Sequence, residues 1–353
     1  MTICLISVPP KRVKYIDLGA GLMILWMIIG HAIYAASSVE ILRGESCPLK
    51  GISYFIPNFL FFFMPWFFYK SGQFFRKNNL RDKWKKDFQK LLCPFLIWSG
   101  IGFMLYVILQ ILDNTLTLRS VTYDVLRSLF IAGNIQLNTP LWFLLTLFMV
   151  RQIANYLLPH EEDRFYWLKS VFVILGGYGI AFGMYSLNSP ILPLWIGNGA
   201  AGLAFFTLGY CMSRYEKKLW LIVPCTLCYV VCCILEFPNY DMRSNWCGSA
   251  ILYLLNFPAC FAGIVTFNMF CRLIARCVPY VSMPFEIIGK FAMIIYVSHG
   301  LIFESIRRLI PSLCIVDSIS FSIVFWLIMG AYVVLLPLFC YFDYLSHERI
   351  RKA

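Results

Sequence analysis

Apolar runs of bilayer length, each closed by a short polar or basic connector, repeat along almost the whole chain. A hydrocarbon core of roughly 30 Å needs about 20 apolar residues in helical form. Runs of this kind cover residues 18–39, 53–74, 91–112, 140–158, 167–187, 191–212, 219–236, 249–270, 287–305 and 318–342. They predict an all-α, polytopic integral membrane helix bundle of about ten transmembrane helices. Asn188-Ser189-Pro190 is a tight turn between the fifth and sixth runs. The largest polar loops lie near residues 40–50, 113–139 and 236–248, and no heptad or short-period repeat interrupts the pattern. The expectation is one membrane domain over residues 1–353.

Charge adds an orientation. Most Lys and Arg fall in alternate connectors, with the densest group between residues 76 and 90, while Arg43, Lys50, Arg119, Arg127, Arg243, Arg307 and Arg308 fall in the opposite set. Cytoplasmic segments beside membrane spans carry the excess of basic residues, so both termini are expected in the cytoplasm and the number of spans to be even. Composition agrees: the chain is 60% hydrophobic and 14% charged, with mean hydropathy +0.73. A soluble domain of 353 residues would have too little polar surface left to face water. The net charge of +12 is explained by membrane topology, and no nucleic-acid partner is expected. The opening MTICLISVPPKRVK lacks the n-region and cleavage site of a removed signal peptide. Most of the 14 cysteines lie in apolar runs, where a thiol behaves as a small hydrophobe. Cys225, Cys228, Cys232 and Cys233 have no neighbouring histidine in sequence, so no metal site is expected. Cys47 and Cys247 fall in predicted outer loops, where a disulfide is conceivable.

The remaining signal is polar residues inside apolar runs. Asp17 opens the first run and His31 follows fourteen residues later, about 21 Å along one helix at 1.5 Å per residue. Asp17 would lie near the cytoplasmic face and His31 well across the hydrocarbon. An ionisable group at that depth is read first as functional, with a neutral imidazole hydrogen-bonded inside a bundle as the alternative. Lys70, Ser71, Glu286, Lys290, His299 and Glu304 also sit in or beside spans, and Trp142 opens the fourth run. Ser71-Gly72 also suits an ordinary helix end, Trp142 an interfacial anchor and His299 a packing role. Residues 74–92, FFRKNNLRDKWKKDFQKLL, suit an amphipathic helix on an anionic leaflet, a topology anchor or a site for an anionic cytosolic nucleotide. No GxSxG, P-loop, strand-linked GxGxxG or HExxH occurs.

Taken in order, these blocks resemble the membrane-bound acyltransferase 3 family, the integral-membrane O-acyltransferases of bacterial polysaccharides and sugars. Arg12, Tyr15, Ile16, Asp17 and Gly30-His31 match the family's first span and its Asp-to-His spacing. Phe63, Met64, Pro65, Phe67, Phe68, Ser71 and Gly72 match its Phe-rich second span. Leu91, Leu92, Pro94, Phe95 and Trp98 follow, then Pro140-Leu141-Trp142-Phe143-Leu144, and last Ile288-Gly289-Lys290, Ile295-Tyr296 and His299. One position departs: the family carries Arg or Lys three residues after the aspartate, and this chain has Ala20 there. Lys14 and Lys70 are candidates for a substitute cation.

The resemblance implies a multi-pass protein of the cell inner (plasma) membrane. Acetyl-CoA would be the cytosolic acyl donor, and a glycan or lipid-linked sugar hydroxyl the acceptor. His31 would be the base or acyl acceptor, and Asp17 would organise the cytoplasmic mouth. Trp142, Ser71, Lys70 and His299 would contact substrate, and Lys14, Arg76 and Lys77 the nucleotide. Membrane lipid is an expected partner, and a homo-oligomer is compatible with the sequence. Competing readings are a transporter or flippase, whose mid-membrane polar residues would mark a pathway, and a non-catalytic glycan-binding module, which Ala20 favours.

Overall fold

The computed structural model describes residues 13–43, 59–134, 137–160, 162–186, 194–212, 215–235, 249–309 and 330–342. The described residues are overwhelmingly helical. In chain order the helices are α1 (Lys14–Arg43), α2 (Phe63–Gln73), α3 (Leu80–Asp87), α4 (Cys93–Leu112), α5 (Val125–Ala132), α6 (Trp142–Leu157), α7 (Tyr166–Ser186), α8 (Leu194–Met212), α9 (Leu219–Ile234), α10 (Ala250–Cys277), α11 (Pro279–Lys290) and α12 (Ala292–Leu309). A final apolar helix, α13, spans Gly330–Phe342.

Helix lies within every apolar run predicted from the sequence. Three helical stretches are long and apolar enough to cross a membrane: Leu80–Leu112, Tyr166–Met184 and Ala250–Cys277. A fourth is added if Pro279–Lys290 and Ala292–Ile302, bent by 68° at the break between them, form one span. The structure is therefore that of a helical membrane protein, and the expected count of ten stays a sequence-based figure. Several predicted boundaries differ from what is found, and two of the differences change the picture of the chain. The run at 91–112 begins earlier, because the basic segment before it is itself helical and continues through a π-helical turn, Phe88–Leu92. The run at 287–305 is broken at Phe291, whose φ of −106° and ψ of 16° end α11.

The chain divides into two compact units. One comprises residues 1–60 and 267–353, and the other residues 61–266, so the division falls inside α10. In the first unit α1 crosses α11 with almost no side chain between the backbones. A Cβ added at Gly21 would stand 2.0 Å from the Phe285 carbonyl oxygen, and one at Gly289 would stand 1.8 Å from that of Asp17. Small residues at such crossings let helices approach where lipid offers no hydrophobic drive to associate. Beyond the break, Ser298 of α12 hydrogen-bonds the hydroxyl of Tyr332 in α13. Near the start of α1, Arg272 donates to the Tyr15 hydroxyl at 3.1 Å and stacks over its ring.

The second unit repeats the device with different helices. A Cβ at Gly72 of α2 would lie 1.8 Å from the Phe206 carbonyl oxygen, and one at Gly209 of α8 would lie 2.0 Å from that of Tyr69. Its core is aromatic: Phe61, Phe62, Trp66, Phe68, Tyr69, Phe205 and Phe206 are almost wholly buried. An edge-to-face contact of Phe68 with Phe143 joins α2 to α6, and one of Phe75 with Phe206 joins the segment just after α2 to α8.

Candidate functional site

Each unit holds polar groups brought together among its described residues. In the first, α1 carries His31 half-buried, and α12 carries His299 fully buried. The two imidazole rings lie 5.5 Å apart between centroids and are tilted by 40°. His299 is oriented by its own helix: its Nδ1 is 2.7 Å from the Tyr296 carbonyl oxygen, and the two rings are 5.9 Å apart. A carbonyl oxygen can only accept, so Nδ1 carries the proton. A neutral His299 then presents Nε2 as a lone-pair acceptor. Gly30, just before His31, faces open space, with no atom within 4 Å of a Cβ placed there.

Asp17 is buried, at 8% exposure, where α1 meets α11. It lies on the same helix as His31 but about four turns away, too far to orient the imidazole directly. Lys14 is exposed at the start of α1, and Ala20 is half-buried between two glycines.

The second unit holds a buried ionic cluster at the end of α2. Lys70 donates to Glu216 at 3.2 Å and to Gln73 at 2.8 Å, and Gln73 also donates to Glu216. The side chains of Lys70 and Glu216 are 6% and 0% exposed. Ser71, one residue on, accepts from Arg151 of α6 at 3.0 Å. Arg151 pairs with Asp87 of α3 at 3.0 Å, and Gln152 donates to the same carboxylate at 3.2 Å. Lys83, one turn before Asp87, lies 3.8 Å from it and over the face of Phe75. α3 is charged on both sides: Lys83 and Asp87 turn inward, while Arg81, Lys85 and Lys86 are exposed together with its apolar Leu80 and Trp84. Lys70 is not a surplus charge available to replace the missing basic residue, because Glu216 neutralises it. Trp142 is buried at the opposite end of α6 from Arg151, about 14 Å along that helix.

The connector after α2 carries the other expected nucleotide contacts. Arg76 is exposed. Lys77 is half-buried and donates to the Leu158 carbonyl. Asn78 and Asn155 clasp each other through two hydrogen bonds. An open cavity of about 510 Å³ is lined by Lys77, Asn78, Asn79, Leu80, Asn155, Tyr156 and His160. Burial pushes the Lys77 ammonium below the ordinary lysine range, and the nearby Lys169 adds repulsion. Asp163 is held below the usual carboxylate range by its hydrogen bonds from Lys169 and the Phe165 amide.

Four participants were not singled out by sequence: Glu216, Asp87, Arg151 and Gln73. The signal that points to Glu216 is Lys70 itself. A lysine inside an apolar helix requires a counter-ion, and the chain has only 18 acidic residues from which to draw one. No group of three or more potential metal ligands occurs among the described residues. Cys225, Cys228, Cys232 and Cys233 line α9 as free thiols, while Cys47 and Cys247 fall outside the described residues. The side chain of Glu304 does as well.

The described residues define a helical membrane protein. The chain belongs to the acyltransferase domain family Acyl_transf_3, whose family model matches residues 13–342, nearly its whole length. No curated protein and no solved structure matches it.

Proposed function

We propose that the protein is a membrane O-acyltransferase that moves an acyl group, acetyl in the simplest case, from cytosolic acyl-CoA to a hydroxyl of an extracytoplasmic or lipid-linked glycan. The observation that carries this reading is His31. It lies deep in an apolar helix inside the family-matched region, with a second imidazole 5.5 Å away. An imidazole works as a general base near neutral pH.

The residues present fit an anionic nucleotide donor. Arg76, Arg81, Lys85, Lys86 and Lys90 are exposed, and Lys77 borders a cavity with amide donors from Asn78, Asn79 and Asn155. Phosphates bind such clusters through charge and directed N–H groups. Bound acyl-CoA supplies a thioester as the activated acyl group. His31 takes the proton of the acceptor hydroxyl as its oxygen forms the new ester bond and the carbon–sulfur bond breaks. The imidazolium then returns that proton to the departing thiolate, leaving His31 neutral for the next turnover. Asp17 holds the entrance end of α1 against α11, the Lys70–Glu216 pair and the Arg151–Ser71 hydrogen bond fix α2 against its neighbours, and the Arg151–Asp87 pair ties α6 to α3.

The test is transfer of radiolabel from acetyl-CoA to surface polysaccharide in vesicles from the producing cell. His31→Ala should abolish transfer, a loss of at least about 100-fold by the usual worth of a general base, with membrane abundance unchanged. Transfer retained in that variant removes His31 from the mechanism.

A further inference from the structure

We propose that the exposed face of α3 and of the π-helical turn after it is a docking surface for acidic phospholipid headgroups. This goes beyond acyl transfer and does not depend on it. Three observations on the second unit carry it.

The first is a change of chemistry along one helix. Leu80–Leu112 is a helical stretch of 33 residues, about 50 Å long at 1.5 Å per residue. A hydrocarbon core of about 30 Å leaves roughly 20 Å of it outside. Every exposed residue of α4 is apolar, among them Ile97, Ile101, Met104 and Ile108. That face suits acyl chains. Before Cys93 the exposed positions turn to Arg81, Asp82, Lys85, Lys86, Gln89 and Lys90, with Leu80 and Trp84 among them. The surplus length therefore lies at the α3 end. Lys86 and Lys90 stand one turn apart there, about 6 Å along the axis, which is the thickness of one headgroup layer.

The second observation is aromatic. Trp84 is 50% exposed and stacks on half-buried Phe88, with ring centroids 5.0 Å apart and planes 21° from parallel. Tryptophan settles at the level of the headgroups, where one part of the ring is apolar and the other wet. The third is charge. From residue 81 to residue 90 the exposed charges are four cations and one carboxylate, Asp82. Lys83 and Asp87 point the other way, into the cluster with Arg151, so a ligand on the exposed face leaves that cluster intact.

Together these features match a phospholipid better than a soluble nucleotide. Lysine stems lie along apolar surface while their ammonium groups reach phosphate oxygens, which accept charge-assisted hydrogen bonds. A leaflet covers Trp84, whereas a nucleotide on the same cations would leave the exposed side of the indole in water. Arg76 and the cavity beside Lys77 then remain for the nucleotide.

The test is native mass spectrometry of the full chain released from nanodiscs holding equal phosphatidylglycerol and phosphatidylcholine. The wild type should retain phosphatidylglycerol in excess. A cation beside an anionic leaflet is worth about a five-fold preference. Arg81→Gln/Lys85→Gln/Lys86→Gln/Lys90→Gln should therefore cut the excess by at least about 10-fold. Trp84→Ser keeps every charge and should also lower it, which serves if the first variant does not fold. Arg119→Gln/Arg127→Gln removes exposed cations elsewhere in the same unit and should leave the excess unchanged. An excess as large in either of the first two variants as in the wild type, or an equal loss in the control, overturns the proposal. So does loss of the lipid when acetyl-CoA is added to the wild type, which would assign the face to the nucleotide. Phosphatidylglycerol held in the presence of acetyl-CoA and lost with the four cations supports the surface, whether or not the protein transfers an acyl group.

Discussion

The two units solve one problem, polar groups in a low-dielectric helix bundle, in opposite ways. Both bring two helices together through reciprocal glycines. The contacts repeat at four residues in the first unit, Asp17 to Gly21 and Phe285 to Gly289, and at three in the second, Tyr69 to Gly72 and Phe206 to Gly209. These are the two ridge spacings of an α-helix. The close backbone approach then supports different chemistry. In the first unit the groups around His31 are imidazoles and hydroxyls, which act as donors and acceptors without a fixed charge, and the buried carboxylate of Asp17 stands apart about four turns away on α1. In the second they are full charges, each compensated at close range. A group meant to exchange protons must be able to change its state, whereas a group meant to hold helices in register does better locked in a pair. The comparison teaches that burial of an ionisable residue does not mark a reactive centre by itself; what it is tied to decides.

The sharpest way to break this contrast is at Lys70. If the Lys70–Glu216 pair is structural, Lys70→Met should cost about 3–5 kcal/mol, because it takes the ammonium away from a fully buried carboxylate. The double variant Lys70→Met/Glu216→Leu should recover most of that loss. The measurement is thermal unfolding of each variant in nanodiscs. Additive losses in the double variant would show that the two residues act separately, and the second unit would lose its claim to be built on compensated charge.

The glycine crossings come next in size. Gly289→Ala in the first unit and Gly72→Ala in the second each place a Cβ 1.8 Å from a backbone oxygen, which cannot rotate away. Overpacking of this kind costs about 1–3 kcal/mol, and both variants should unfold at correspondingly lower temperature. Gly100→Ala, where an added Cβ meets nothing within 4 Å, is the control that should change little. Equal melting of all three would mean that the helices give way at the crossings, and the shared device would not be one.

How far the sequence carried these features follows from distance along the chain. Apolar length located a helix within each of the ten runs, because a bilayer sets their minimum length whatever the tertiary contacts, but it missed α5, Val125–Ala132, which lies in the stretch 113–139 expected to be a polar loop. His31 and Ser71 were legible from their surroundings, an imidazole within apolar residues and a Ser-Gly helix end. Their partners were not. Glu216 lies 146 residues from Lys70, and Arg151 lies 80 from Ser71, separations no local pattern encodes. The closeness of the His31 and His299 rings is invisible for the same reason, although each residue stood out singly. The break at Phe291 was missed because Ile287 to Tyr296 stays mostly apolar through it. A hydropathy run measures length and says nothing of direction.

The smallest effect concerns the charges at the ends of the spans and in the connectors, and tests whether compensation extends there. Lys169 acts on two groups with opposite charge. It donates to Asp163 at 2.5 Å and holds that carboxyl down, and it repels Lys77 and so helps hold that ammonium down. Lys169→Ala should therefore raise both pKa values, although one group is an acid and the other a base. The two depressions also give stability the same sign of pH dependence. For Asp163 the folded state binds fewer protons than the unfolded chain in the acid range, so its contribution is present above the unfolded carboxylate pKa and lost as pH falls through the folded one. For Lys77 the folded state binds fewer protons in the alkaline range, so stability rises with pH between the folded value and the ordinary lysine value. The Asp163 pair is exposed, and its removal should barely move the unfolding temperature at neutral pH. The titrations carry the test: carboxyl carbon shifts for Asp163 and the pH dependence of amine labelling for Lys77. If Asp163 rises and Lys77 stays, the repulsion from Lys169 is screened and burial alone sets the lysine. If both stay, the connector's charges act independently and the compensation seen in the second unit stops at its buried cluster.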